Sequence, residues 1–170
     1  MKGIEGFFSE AEGRWYRRFA RGLRGGVFVE VGSWKGRSTS FIGPVCNAQG
    51  TRLVCVDHWE SEDVEQIFRA NMNALGIDCE VLRARSVDAA AAFGPKSVDR
   101  VFLDASHDGA SVAADLAAWS ACLRDGGILA GHDYMREHHP DLCDAVDAFA
   151  RARGLRVGRG PRDVFWLEPP

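Results

Sequence analysis

No apolar run in the 170 residues approaches the roughly 20 needed to span a bilayer. The opening stretch MKGIEGFFSEAEGRW has no apolar h-region, and it carries acidic residues where a transit peptide has few. A cytoplasmic protein with no membrane partner is expected. The five cysteines, Cys46, Cys55, Cys79, Cys122 and Cys143, are odd in number and form no CxxC pair, which leaves neither a zinc knuckle nor a disulfide framework. They read as reduced, packed thiols. A formal charge of −3 shows no basic excess, so a nucleic-acid partner is not expected. Internal repeats, low-complexity tracts and linkers are also missing.

What is present is the make-up of an ordinary soluble domain, 46% apolar and 26% charged. The chain is long enough for one core and too short for a second substrate domain of ordinary size. Apolar β-branched runs alternate with amphipathic stretches, the pattern of βα units wound around a mainly parallel sheet. Seven strands are expected, at Val27–Val31, Arg52–Asp57, Cys79–Arg83, Val98–Asp104, Gly127–Ala130, Leu155–Gly158 and Val164–Leu167. Helices are expected near Ser9–Leu23, Arg37–Asn47, Ser61–Leu75, Val87–Phe93, Ala110–Leu123 and Asp141–Arg153. Gly25–Gly26, Gly76, Gly94–Pro95, Asp125–Gly127 and Gly160–Pro161 punctuate them. The link around Arg159–Pro161 is too short for a parallel crossover, so the last two strands form an antiparallel hairpin. The fold class is therefore α/β, a doubly wound seven-stranded sheet with helices on both faces.

Ligands of open α/β sheets bind beyond the carboxyl ends of the strands. The first strand ends in Glu30-Val31-Gly32-Ser33-Trp34-Lys35-Gly36-Arg37-Ser38, a glycine-bearing turn into a helix. Gly32 permits a sharp turn and close approach of a ligand, and Gly36 opens a helix whose free N–H groups favour an anion such as a carboxylate. The spacing is E-x-G-x-x-x-G rather than the G-x-G-x-x-G of dinucleotide sites, and Ser33 and Trp34 fill the space a pyrophosphate needs. Asp57, ending the second strand, is placed to accept hydrogen bonds from both ribose hydroxyls. Beside it stand His58 and Trp59, with Trp59 placed to cover an adenine and Ser86 with Val87 bordering its other edge.

Through VFVEVGSWKGRS, LVCVDHWE, VDRVFLDASHD and LRDGGILAGHDY, residues 26 to 168 resemble the class I S-adenosylmethionine-dependent methyltransferases. The resemblance is nearest to a small bacterial branch containing sugar and natural-product O-methyltransferases. It implies a Rossmann-like sheet with a reversed last strand and one S-adenosylmethionine-binding domain over residues 1–170, with the helix at 8–24 as a substrate-side or oligomer element. It also implies that Glu30, Gly32, Gly36, Ser38 and Asp57 occupy cofactor-motif positions.

Strand four ends in Asp104-Ala105-Ser106-His107-Asp108 and strand five in Gly131-His132-Asp133-Tyr134. Asp104, at the cofactor edge, and Asp133 offer hard oxygens, with His132 or water to complete a divalent-metal shell. Such an ion polarises a hydroxyl and helps its deprotonation. The catechol-type metal-dependent O-methyltransferases resemble this pattern, which places His107 at their lysine base and His132–Asp133 at their second and third ligands. A histidine in place of a carboxylate tilts any ion from magnesium towards manganese. An imidazole titrates near 6.5 and so serves as a base without large tuning. His107 and Asp104 are thus the candidate catalytic residues, with or without metal. His138 and His139, before Pro140, read as a helix start.

The expected reaction is methyl transfer to a hydroxyl of a small acceptor, a sugar or secondary metabolite. The candidate acceptor walls are Phe7, Phe8, Trp15, Tyr16 and the Met135–Pro140 loop, and the favoured reading of the aromatic face is that it packs against the sheet as core. An exposed Phe8 and Trp15 imply a homo-oligomer interface. The competing readings are a nicotinamide-dependent reductase, disfavoured by the missing glycine, and a non-catalytic cofactor-binding subunit. RNA methylation, a weaker reading, rests on Arg14, Arg17, Arg18, Arg21 and Arg24 along one helix.

Overall fold

The structure, a computed structural model, describes residues 3–170. Ser9 caps the first helix, α1 (Glu10–Ala20), in a reciprocal capping box: its hydroxyl accepts from the Glu12 N–H, and the Glu12 carboxylate accepts from the Ser9 N–H. Then follow β1 (Val27–Val31), α2 (Thr39–Gln49), β2 (Arg52–Asp57), α3 (Glu62–Ala74), β3 (Glu80–Arg83), α4 (Ser86–Ala90) and β4 (Val98–Leu103). The chain closes with α5 (Gly109–Cys122), β5 (Leu123–Gly131), α6 (Pro140–Ala152), β6 (Arg156–Arg159) and β7 (Phe165–Glu168). Pro140 starts α6, where its missing N–H costs nothing.

The seven strands lie in the order β3-β2-β1-β4-β5-β7-β6. β1 to β5 pair in parallel, and β7 inserts between β5 and β6 antiparallel to both. The terminal hairpin and reversed last strand are as the sequence implies. Two apolar layers sandwich the sheet. One gathers Tyr16, Phe28, Phe41, Ile42 and Phe68 under α1 to α3, and the other gathers Val29, Val101, Leu116, Trp119 and Val146 under α4 to α6. Each large side chain so buried contributes about 2–3 kcal/mol. Among the described residues no helix is long and apolar enough to cross a membrane.

Three elements differ from expectation by three residues or more, the first being α1, which ends at Ala20 rather than Leu23. β5 begins at Leu123, and Asp125–Gly127, read as the turn before it, lies within it: Leu123 pairs with Val98 but Ile128 with Arg100, so the extra residues bulge out of register. α4 is one turn, ending at Ala90, with Ala91–Phe93 in a turn. The cysteines are free thiols, buried except for the half-buried Cys79.

Candidate active site

The carboxyl ends of β1, β2, β4 and β5 open onto one cleft of about 710 Å³, within the range of small-molecule sites. Gly32, Ser33, Trp34, Ser38, Asp57, His58, Trp59, Ser86 and Asp104 line it, together with His107, His132 and Asp133. The sequence motifs of four separate strands therefore meet in one place.

Glu30 is not part of that lining. It is sealed beneath the loop, where it accepts hydrogen bonds from Tyr16 Oη (3.1 Å), Ser33 Oγ (2.9 Å) and the Thr39 hydroxyl. Burial pushes its carboxyl pKa upward against those hydrogen bonds. Its role is to tie the loop to α1 and α2. Gly36 is also buried and does not open a helix, since α2 starts at Thr39 after Ser38, which lines the cleft. A Cβ on Gly36 (φ 86°) would meet Met72 Cε at 2.4 Å, so this glycine lets the loop pack on α3. Gly32 makes the expected sharp turn (φ 91°), but the group approaching it closely is protein. A Cβ there would sit 1.9 Å from the Asp104 carbonyl.

Asp57 Oδ2 accepts from the Trp34 N–H and Oδ1 from the Trp59 N–H, each at 2.8 Å. These bonds hold the carboxylate facing the cleft, and each oxygen keeps lone-pair capacity for a ribose hydroxyl. The Trp59 ring is 2% exposed, packs on Phe68 and donates from Nε1 to the Trp34 carbonyl at 2.8 Å, so it is a fixed wall rather than a mobile cover. Ser86 Oγ accepts from Trp119 Nε1 at 2.9 Å, which pins that edge of the cleft. Val87 is exposed and outside the lining. The His58 ring lies 3.8 Å from Asp57 at the surface.

At the other end, three of the five histidines converge on Asp133. Its Oδ2 lies 2.8 Å from His107 Nε2, and its Oδ1 lies 3.2 Å from His132 Nδ1 and 3.9 Å from His139 Nε2. Asp133 holds φ 61°, a left-handed conformation that aspartate tolerates better than most residues. His132 bridges carboxylates: Nε2 meets the buried Glu12 Oε1 at 2.7 Å, and Nδ1 faces Asp133 and, at 3.8 Å, Asp104. Although burial opposes it, this ring of acceptors pushes the His132 pKa up to about 10. Asp133 is driven well below the usual carboxylate range, against burial, by its bonds to His132 and His107. Burial pushes the Asp104 carboxyl well up, opposed by the charge of His132 and reinforced by the neighbouring Asp133 and Glu30 carboxylates.

Sequence reasoning missed Glu12 and His139. The S-x-x-E spacing of Ser9 and Glu12 signals a helix cap, but nothing local shows that the second oxygen of that carboxylate reaches β5. His139 begins α6 as read, and it also lines the cleft and stacks on His107 at 4.5 Å. Arg162 and Asp163 join the lining unannounced by any motif, and Arg37, which lies within the first-strand motif but is not among its expected site residues, joins it too. Of the expected acceptor walls, Phe7 stands 91% exposed at the mouth, stacked on Trp34, and Phe8 borders the cleft from a buried position. Tyr16 is core and Trp15 is stacked between Phe19 and Trp166, both outside the lining, so the aromatic patch proposed as a dimer face is not exposed. Arg17 of the arginine helix donates to the Phe41 carbonyl, while Arg14, Arg18, Arg21 and Arg24 are exposed.

Among the described residues three groups bring donor atoms within 4.8 Å of one another: Asp104–His132–Asp133, Glu12–His132–Asp163 and His107–Asp133–His139.

A family described as a methyltransferase domain matches residues 29–134. Among solved structures, a Staphylococcus aureus protein provisionally assigned as a caffeoyl-CoA O-methyltransferase superposes with a TM-score of 0.77 at 10% identity, over 96% of this chain and 85% of its own. A SAM-dependent O-methyltransferase from Thermotoga maritima gives 0.72 at 11% identity, over 98% and 68%. A precorrin-6y C5,15-methyltransferase from Geobacter metallireducens gives 0.72 at 14% identity, over 98% and 88%. At these identities the likeness to the solved structures is one of fold.

Proposed function

Since the chain belongs to the class I S-adenosylmethionine-dependent methyltransferases, we propose that it methylates a hydroxyl of a small acceptor, of sugar or secondary-metabolite type, with His107 as the base. The observation that carries this reading is the continuity of one cleft from Asp57 to the His107–Asp133 pair. Asp57 takes the ribose, Val56, Trp59 and Ala84 wall the adenine side, and Ser38 and Arg37 face the methionine carboxylate. The bound cofactor supplies an electrophilic methyl on its sulfonium.

His107 does the proton work. With Nε2–H donated to Asp133 Oδ2, its Nδ1 lone pair is free to accept the acceptor's hydroxyl proton as the O–C bond forms and the C–S bond breaks. Asp133 fixes the tautomer and stabilises the imidazolium that results. His132 and Glu12 hold Asp133 from behind, so the base rests on a positioned carboxylate. We assign no ion to Asp104, His132 and Asp133, because both His132 nitrogens already face carboxylates, Nε2 at Glu12 and Nδ1 at Asp133.

The half-open mouth, with Phe7, Arg162 and His139 around it, suits an acceptor that presents an apolar face and several hydroxyls. Incubation with methyl-labelled cofactor and a panel of sugars, phenols and polyketide-type alcohols tests the reading. Label is expected in a methyl ether, and the yield should fall on His107→Ala. Labelled product bearing N-methyl or C-methyl instead would overturn the choice of target atom.

A further inference from the structure

We propose that His107, Asp133 and His139 together bind one divalent transition-metal ion of the zinc or cobalt class at the mouth of the cleft. Ions with bonds of 2.0–2.2 Å place neighbouring donors about 2.9–3.6 Å apart. Here His107 Nε2 lies 2.8 Å from Asp133 Oδ2 and His139 Nε2 lies 3.9 Å from Asp133 Oδ1, and one donor atom from each residue lies within 4.8 Å of the other two. Small side-chain rotations therefore close the site. The rings of His107 and His139 stack 4.5 Å apart and 21° from parallel, so their in-plane lone pairs meet at one ion once the rings turn towards each other.

Two imidazoles and one carboxylate form a mixed donor set that suits zinc, cobalt and their neighbours far better than magnesium or calcium. The site is also reachable from solvent, with His107 49%, His139 30% and Asp133 20% exposed in their side chains. It differs from the Asp104–His132–Asp133 group in using no buried donor: His132 stays with Glu12 on the far side of the shared carboxylate. All three residues line the cleft, so water or an acceptor oxygen from it would complete the shell.

An imidazole that ligates through one nitrogen carries its proton on the other, so a metal-bound His107 has no lone pair left to act as a base. Occupancy by zinc is therefore expected to silence transfer. That consequence rests on the role given to His107 above; the site itself rests on geometry alone.

Calorimetric titration of the chelator-treated full chain with zinc, cobalt and magnesium chlorides tests the site. One equivalent of zinc or cobalt is expected to bind, with cobalt giving a visible absorption band. His139→Ala and His107→Ala should each weaken binding at least tenfold, and zinc should shift the ring resonances of His107 and His139. Titration of His139→Ala with S-adenosylmethionine is the control: affinity equal to the parent chain shows a folded cleft. The proposal is overturned by no stoichiometric binding, by affinity unchanged in His139→Ala, by magnesium competing at equal concentration, or by binding that depends on Asp104 rather than on His139. Failure of the parent chain to bind S-adenosylmethionine counts against the proposed function and leaves the metal readout standing.

Discussion

Glu12 Oε1 and His132 Nε2 lie 2.7 Å apart with almost no access to solvent, joining the first helix to the end of β5 across 120 positions of sequence. The carboxylate is also half of the Ser9 capping box, so one side chain both starts a helix and steadies the reacting end of the cleft. Removing one member of a buried pair leaves the other uncompensated, at about 3–5 kcal/mol. Glu12→Ala should lower the urea unfolding free energy by about that amount, and Glu12→Gln, which keeps an acceptor oxygen, by less. A loss below about 0.5 kcal/mol for Glu12→Ala would contradict the pairing.

The same network sets a pH dependence of stability. A histidine whose folded pKa is raised contributes stability that is complete below its unfolded value near 6.5 and is lost as pH rises through the folded value, about 10 for His132. In chelator-treated protein the melting temperature should therefore fall by roughly 5 °C or more between pH 8.5 and 10.5, and the fall should be smaller in Glu12→Gln. An equal fall in both proteins would show that other groups govern the alkaline limb.

The strand ends were legible in the sequence because each motif sits where an apolar run stops. β1 and β2 are bounded as read, and Gly32, Asp57, Asp104, His107 and Asp133 come together on one rim. Long-range pairings were not legible. Glu30 looks like a cofactor ligand on strand one, and only the packing of Tyr16 and Thr39 around it shows a buried anchor. His139 reads as a helix start, and its second position beside His107 depends on how α6 docks against α5. Asp125–Gly127 has turn composition, and pairing with β4 on both sides makes it a bulge.

Two glycines of the β1 loop should respond differently to substitution. Gly32→Ala combines a positive φ with a Cβ inside the van der Waals radius of a backbone carbonyl that cannot move alone, so a loss of about 4 kcal/mol or more is expected. Gly36→Ala meets the flexible end of Met72 and, at 3.1 Å, the Phe68 ring, which need give only a few tenths of an ångström, so the φ penalty of about 1–2 kcal/mol should dominate. Thermal denaturation of the two variants side by side checks the order; equal losses would contradict it.

His107→Ala should leave cofactor affinity within twofold of the parent, since the ring sits at the acceptor end of the cleft. With an acceptor found by the labelling screen, single-turnover transfer should slow by about 10²–10⁴-fold. A comparable loss of cofactor affinity would move His107 from the reacting end to the cofactor's own binding surface.

The most direct test of the account is a calorimetric titration of the full chain with S-adenosylmethionine and its demethylated product, alongside NADH. One-to-one binding of the first two is predicted, weakened at least tenfold by Asp57→Ala and much tighter than binding of NADH. No binding of S-adenosylmethionine, or tighter binding of NADH, would contradict it.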